Sequence, residues 1–505
     1  MQNCSKTKEY FENSLSHGFL NTITKATRID GESFSLIDHI FTNKIDRSES
    51  GVILSDITDH FLTFISIGPK LRLQKTEPNT FRDFSNINMD RFKMALANLN
   101  WHEVYICNDV NSAHSTFWGI FSMLFELYFP CKVSKKNRRT QKMNGFMTAG
   151  LLISRIRKFE LHKLYISSPT ALNQANYRSY RNVYNKVLRN SKKLFYEQKL
   201  SLIQNDPKKV WNTMNELLCR KQANTESIDS LKVGNDYISD SVDIANSFNT
   251  FFSNIGLDIA AGIPASNIHH SQYLDDVPNN FNLTEVSASE VNEAILSFES
   301  KSSQDVFSLN TKLIKHVAKE LSMPLSFIFN KSFALGIFPE DYKTSRTVPV
   351  FKSGNKEDMN NYRPISCLPV FGKVLEKIVS RKLIDYLSSN KLLHPYQFGF
   401  QPKKSTVHPV MHFLKYISEA MNDNDYCVAI FLDLRKAFDL VNHEILISKL
   451  EKLGIRNNSL AWFKSYLQSR KQLVMVNGKL SNSTSDIIMS VLQGSILGQY
   501  FSYVL

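Results

Sequence analysis

The chain has 505 residues, a length that allows about three domains. Its formal charge of +14 favours polyanionic partners. The six cysteines are scattered without a CxxC pair, which argues against a zinc knuckle or a disulfide framework and makes reduced thiols the default. The start, MQNCSKTKEYFENS, has no apolar signal core, and the richest apolar stretch, Phe117 to Phe129, is broken by Glu126 and too short to span a bilayer. These features predict an intracellular protein with no membrane and no targeting signal.

Three short blocks open the chain: Thr24 to Arg28 (TKATR), Ser35 to Asn43 (SLIDHIFTN) and Ser55 to Phe61 (SDITDHF). They hold Asp38, Asp59 and His60. A carboxylate beside a histidine fixes its tautomer and raises its basicity. Taken singly, an Asp-His dipeptide says no more than a surface loop would.

Positive charge then concentrates in Lys132 to Lys142 and in a stretch from about Gly150 to Lys221 that reads as long helices. Tyr177, Tyr180, Tyr184, Val187 and Leu188 trace an apolar stripe there, with Arg178, Arg181, Lys186, Arg189, Lys192 and Lys193 on much of the remainder. Such helices fit nucleic-acid binding, and a solvated face is the plain alternative. Asp206-Pro207 is suited to a helix start, and Trp211 is expected in a core. From about Gln222 to Phe281 the chain is a polar connector, in which Phe248, Phe251, Phe252 and Ile255 predict one amphipathic helix. A helix over Thr284 to Phe298 follows, opened by a box from Thr284 to Ser287 that lacks its acid.

The richest segment is Cys427 to Asp439 (CVAIFLDLRKAFD). Val428 to Leu432 is a continuous apolar run of strand length, which predicts a strand covered on both faces. Asp433 at its end is costly to bury unless a cation, a helix N-terminus or a hydrogen-bonding shell receives it. Metal ligation and N-capping of the next helix both remain open on that residue alone. Phe438, Val441, Ile445, Leu446, Leu450 and Leu453 recur at helical spacing up to a stop at Gly454. A second helix (Leu460 to Leu467), a hairpin at Asn477-Gly478 and a glycine-punctuated segment, Val491 to Gly498, follow. The last can approach a ligand closely through its backbone.

With Asn361-Tyr-Arg363-Pro-Ile-Ser366 and Gln397 to Thr406 upstream, these blocks resemble, in order and spacing, the fingers and palm of reverse transcriptases from non-LTR (LINE-type, jockey- or CR1-like) retrotransposons, from about Leu296 onward. The resemblance implies roles. Asp433 would be the first metal-binding carboxylate, with the backbone carbonyl of Leu434 beside it, holding two Mg2+ ions about 4 Å apart. Phe438 would be a steric gate beneath the incoming sugar, or a core residue on the buried helix face. Asp439 would fix local geometry through hydrogen bonds. Lys352 and Arg363 would clamp the triphosphate, although Lys352 alone is equally a surface lysine. Gln493 would touch the sugar and base, with Gly494 allowing close packing. The partners implied are an RNA template, a DNA primer or target and deoxynucleoside triphosphates, in nucleus and cytoplasm. Oligomeric state is unknown from sequence.

The departures from that family matter equally. No Tyr/Phe-Ala-Asp-Asp block follows QGSILG, Gln499 replaces a usual Pro, and the family's Gly-Pro-Asp-Gly is Gln-Asp-Val-Phe at 304–307. A lone Asp433 should hold magnesium poorly, so the polypeptide is expected not to polymerise as it stands. The N-terminal blocks resemble the closing part of an apurinic-endonuclease-like domain, whose earlier catalytic residues would precede Met1, so no nuclease activity is expected. The fold class is therefore α+β: a partial right-hand polymerase (282–505), preceded by a basic helical linker and connector (71–281) and a fragment of an endonuclease/exonuclease/phosphatase-type α/β sandwich (1–70). A non-catalytic nucleic-acid-binding fragment and the product of a decayed element are the alternatives.

Overall fold

Small polar residues placed before apolar runs start the long helices. The Asp109 carboxylate accepts from the Asn111 and Ser112 amides at 2.9 and 3.0 Å, and Thr148, Thr170, Asp206, Asp240 and Asn442 cap their helices likewise. The computed structural model describes all residues except 1–4, 31–32, 56–59, 69–79, 134–144, 205, 219–226, 265–268, 270–271, 273–275, 302, 402, 435 and 502–505. The chain divides into two compact units, one of 1–79 with 133–225 and one of 80–132 with 226–505.

In the first unit a helix (Ser5–Ser16) precedes short antiparallel pairs, of which the longest joins Ser48–Ile53 to Leu62–Ile67 with Gly51 opposite Phe64. The predicted basic helices are Ala149–Ser167 and Ala171–Ser201. They fold back on one another, with the Tyr165 and Tyr177 rings stacked and Lys158 over the Tyr184 ring. Tyr177 and Tyr184 are buried as predicted, but Val187 is half exposed, because a single neighbouring helix covers only a narrow stripe. Asp206 and Pro207 open the helix Pro207–Leu217 as predicted, whereas Trp211 lies 59% exposed and not in a core.

The second unit holds the large core. Helices α1 (Asn86–Ala97) and α2 (Val110–Tyr128) interleave Phe92, Phe117, Phe121, Phe125 and Phe129 with the apolar faces of α4 (Ala318–Leu335) and α5 (Val370–Ser389). The predicted amphipathic helix is α3 (Ser241–Ala261). Strand β1 (Thr344–Phe351) pairs antiparallel with β2 (Tyr362–Cys367), Val350 facing Arg363, and parallel with β3 (Arg470–Val476), Arg346 facing Leu473. The predicted turn connects β3 to β4 (Lys479–Leu480) with φ of +49° at Asn477 and +81° at Gly478, and β5 (Ser485–Ile487) pairs with the start of β3. Helix α3 covers one face of this sheet, burying Phe248 against Tyr362, Val474 and Val476. Segments 80–132 and 226–281 thus belong to the same compact unit as residues 282–505, and the expected boundary at 281/282 falls inside it.

Several local expectations are corrected. Val428 to Leu432 is not a strand: Val428, Ile430, Phe431 and Leu432 are each more than four-fifths exposed, and no ladder partner lies beside them among the described residues. The preceding helix, Val407–Asn422, likewise buries no residue. A strand covered on both faces needs neighbours on both edges and both faces, and the sheet ends at β2 on one side. The following helix is α6 (His443–Lys452), capped by Asn442 rather than by Asp433, since Lys436 takes a left-handed φ of +53° that would break the interior of a helix begun at Asp433. Its stop at Gly454 is as predicted, with φ +89°. The capping box is made by Ser287 and Glu290 and opens the helix Ala288–Leu296, three residues later than Thr284. Helix α7 (Asn457–Leu467) contains the predicted Leu460 to Leu467. Among the described residues no helix is long and apolar enough to cross a membrane.

One polar contact docks α2 on this core. His114, buried on α2, places Nδ1 2.8 Å from Asp341 Oδ2. That hydrogen bond holds the Asp341 carboxyl below its unperturbed 3.8 against the opposing effect of burial. A lowered folded pKa means that the stabilisation is present above 3.8 and is lost as pH falls through the folded value. Urea midpoints should therefore drop for the wild type below about pH 4 by more than for Asp341→Asn. Parallel curves for the two proteins in that range would remove the contact from the stability account.

Candidate functional site

The alternation of β1 places Ser345, Thr347 and Pro349 inward, leaving Arg346, Val348 and Val350 on the opposite face. Arg363, paired with Val350, lies exposed on that same face. Lys352 continues the alternation one step beyond β1, and its amide donates to Asn361 O at 2.8 Å. The intervening turn is stiff. Asn361 Nδ2 donates to Asn355 O at 2.9 Å, the Tyr362 hydroxyl donates to Lys356 O at 2.7 Å, and Gly354 adopts φ +97°. Two predicted cations, Arg363 and Lys352, therefore stand on one face of a rigid hairpin. Sequence reasoning missed Arg346, whose Nε is buried without a hydrogen-bond partner among the described residues.

The segment after β5 closes on this hairpin. Ser366 N donates to Gln493 O at 2.8 Å, and Gly494, at φ +121°, lies so near that a Cβ would stand 2.5 Å from the Ser366 carbonyl oxygen. The close approach predicted for Gly494 exists, and its target is backbone. Val491 N donates to Phe438 O at 2.8 Å, and Ser490 N to Val441 O at 3.0 Å. Gln493 Nε2 donates to Asp439 Oδ1 at 3.2 Å. Asp439 is buried, and burial raises its carboxyl pKa while the Gln493 bond and Lys436 oppose the rise. Asp439 thus does what was expected of it, although it sits in a turn and not one turn into a helix. Phe438 occupies the same turn, half-buried, its ring edge-on to Phe400 at 6.4 Å.

Arg363, Lys352, Phe438, Asp439, Gln493 and Gly494 are therefore joined through one continuous set of main-chain and side-chain bonds. Asp433 and Leu434 are not. Both are exposed, and no hydrogen bond or ion pair engages the Asp433 carboxylate among the described residues. As a magnesium site the donor set falls short: one exposed carboxylate and a carbonyl are too few oxygens for a pair of ions that prefer octahedral shells. Asp439 is turned to Gln493 instead, and no group of three His, Cys, Asp or Glu converges among the described residues. Asp305, in the degraded Gly-Pro-Asp-Gly position, is buried and accepts from the Phe307, Leu309 and Val370 amides at 2.8–2.9 Å, a bracing role rather than a ligand contact.

In the first unit His60 Nδ1 lies 2.9 Å from Asp38 Oδ2. Hydrogen bonds from Thr27 and then His60 hold the Asp38 carboxyl below its ordinary value. Phe61 N donates to Thr27 O at 2.7 Å, so the three N-terminal blocks do meet. Asp59, and most of Lys132 to Lys142, lie outside the described residues.

Residues 354–502 match the family described as Reverse transcriptase (RNA-dependent DNA polymerase), and this part of the chain is a reverse-transcriptase domain. The similar proteins include RNA-directed DNA polymerases of Drosophila transposons and mobile elements. The chain is 34% identical over 211 residues to the probable RNA-directed DNA polymerase from transposon BS of Drosophila melanogaster, covering 41% of this chain and 23% of that protein. It is 31% identical over 217 residues to the RNA-directed DNA polymerase from mobile element jockey of the same species, covering 43% and 24%. It is 30% identical over 186 residues to that of transposon X-element, covering 37% and 20%. The matched part spans less than a quarter of the length of these relatives.

Proposed function

We propose that this chain contributes the fingers and part of the palm of a non-LTR retrotransposon RNA-directed DNA polymerase, holding an RNA template, a DNA primer and a deoxynucleoside triphosphate. The observation that carries the reading is the Ser366–Gln493–Asp439 connection, which ties three separated sequence blocks of the matched domain into one neighbourhood. Arg363 and Lys352 take triphosphate oxygens, Arg through its planar fork and Lys as a point charge. Phe438 limits the space beneath the sugar, where a 2′-hydroxyl would clash. Gln493 acts on that pocket by orienting Asp439. Asp433 is the metal carboxylate of the family pattern, and no step is assigned to it with this donor set. The Asp38–His60 pair supports an endonuclease-like remnant at the N-terminus. The helix Ala171–Ser201 carries seven Lys and Arg against the single acid Glu197, which supports a nucleic-acid backbone contact.

The test combines binding and synthesis on poly(rA)·oligo(dT) with dTTP and Mg2+. Primer–template binding is expected to weaken with salt. Replacing Arg189 and Lys193 by Glu should flatten the slope of log K against log salt by about 0.7–0.9 per lost phosphate contact. Incorporation is expected at background. Asp433-dependent synthesis would refute the donor count, and salt-insensitive or absent binding would sink the polymerase reading itself.

A further inference from the structure

Glu376 lies on α5 at 1% exposure, where an ionisable group is a costly way to fill space. Apolar residues of similar volume usually do as well or better for stability in such positions. Both of its oxygens are used. Oε1 accepts from the Tyr466 hydroxyl at 3.1 Å, and Oε2 accepts from the main-chain N–H of Ile496 at 2.7 Å. Ile496 follows directly on Gln493-Gly494-Ser495 and begins a short helix, α8 (Ile496–Phe501). Behind this pair Arg470, 3% exposed, donates from Nε to Tyr466 O at 2.5 Å and stacks 4.0 Å from the Tyr466 ring centroid. Its charge offsets part of the cost of a buried carboxylate, and Ser495 lies within reach of the same tyrosine hydroxyl.

The loop that Glu376 grips bonds at its other end to Phe438 O, Val441 O and Ser366 N. An apolar residue at 376 would fill the volume but leave the Ile496 amide without an acceptor, and the downstream end of the loop would lose its side-chain anchor.

We infer that Glu376 is a positioning residue for the nucleotide pocket: through the Ile496 amide it clamps the Gln493–Gly494 loop against the Phe438–Asp439 turn and β2. This rests on the polymerase reading above for what the pocket holds, but not for the clamp itself. The experiment therefore has two readouts, amide exchange at 493–498 and equilibrium titration of dTTP with Mg2+ on poly(rA)·oligo(dT). Glu376→Gln keeps an acceptor oxygen and is expected within about 2-fold of wild type in both. Glu376→Met removes it, and is expected to speed exchange at Ile496 and weaken dTTP binding about 10-fold or more. Glu376→Met/Arg470→Met, which leaves no unpaired buried charge, should fold and still show both defects. Unchanged exchange in the methionine variants overturns the clamp, and so does an equal defect in Glu376→Gln. Absence of dTTP binding in the wild type would instead count against the polymerase reading, with exchange still deciding the clamp. Leu383→Ala, elsewhere on α5, sets the control: a binding loss matching Glu376→Met at equal thermal destabilisation would reduce Glu376 to ordinary core.

Discussion

Gly494→Ala should destabilise the second unit by about 2–5 kcal/mol and abolish measurable dTTP affinity, while Gly478→Ala should cost about 1 kcal/mol and leave affinity intact. Both glycines have positive φ, +121° and +81°, so both replacements strain the backbone. They differ in surroundings. Nothing lies within 4 Å of a Cβ at 478, whereas at 494 the Ser366 carbonyl oxygen would be 2.5 Å away. That oxygen belongs to a paired strand and has little room to retreat, so the loop must move and the bond from Ser366 N to Gln493 O at 2.8 Å opens. Backbone strain is greater at φ +121° than at φ +81°, and overpacking at 494 adds about 1–3 kcal/mol to it. Urea unfolding of both variants and a dTTP titration check this. Equal losses at the two positions would mean that the close approach to β2 has no energetic weight.

Trp462→Ala is expected to cost about 3–5 kcal/mol, the range for emptying a large aromatic site. Trp462 on α7 is fully buried, stacked at 5.7 Å on Tyr466 and edge-on to Phe338 at 5.4 Å. Its Nε1 donates to Ser332 Oγ at 2.9 Å, tying α7 to α4. With a typical domain stability of about 5–15 kcal/mol, such a loss leaves the unit marginal at 37 °C. Trp462→Phe should keep most of the packing and lose chiefly the hydrogen bond, about 0.5–1.5 kcal/mol. Chemical denaturation of the two variants is the measurement, and an alanine cost under about 1.5 kcal/mol would show that the site collapses rather than leaving a cavity.

Much of the local structure was legible because its signals are local. Asn477-Gly478 demands positive φ, Gly454 ends a helix, Asp206-Pro207 begins one, and each behaves as its covalent structure requires. Arg363 and Lys352 were named only through the family resemblance, and their shared face came from the β1–β2 pairing. Asp439 was correctly assigned to hydrogen bonding. Glu376 had a faint signal, an acid among Val374, Leu375, Ile378 and Val379 at buried helical positions, which sequence reasoning passed over. The run from Val428 to Leu432 misled because an apolar pentapeptide states a need for neighbours without showing that they are present.

Local conformational preference is written in residue type, so turns, caps, helix stops and the order of the polymerase blocks could be read directly from the chain. Pairing between distant segments is not, because it depends on which surfaces meet and how much apolar area each can bury. That is why packing in three dimensions alone settled the capture of α1–α3 by the second unit, the turning of Gln493 onto Asp439, and the exposure of Asp433.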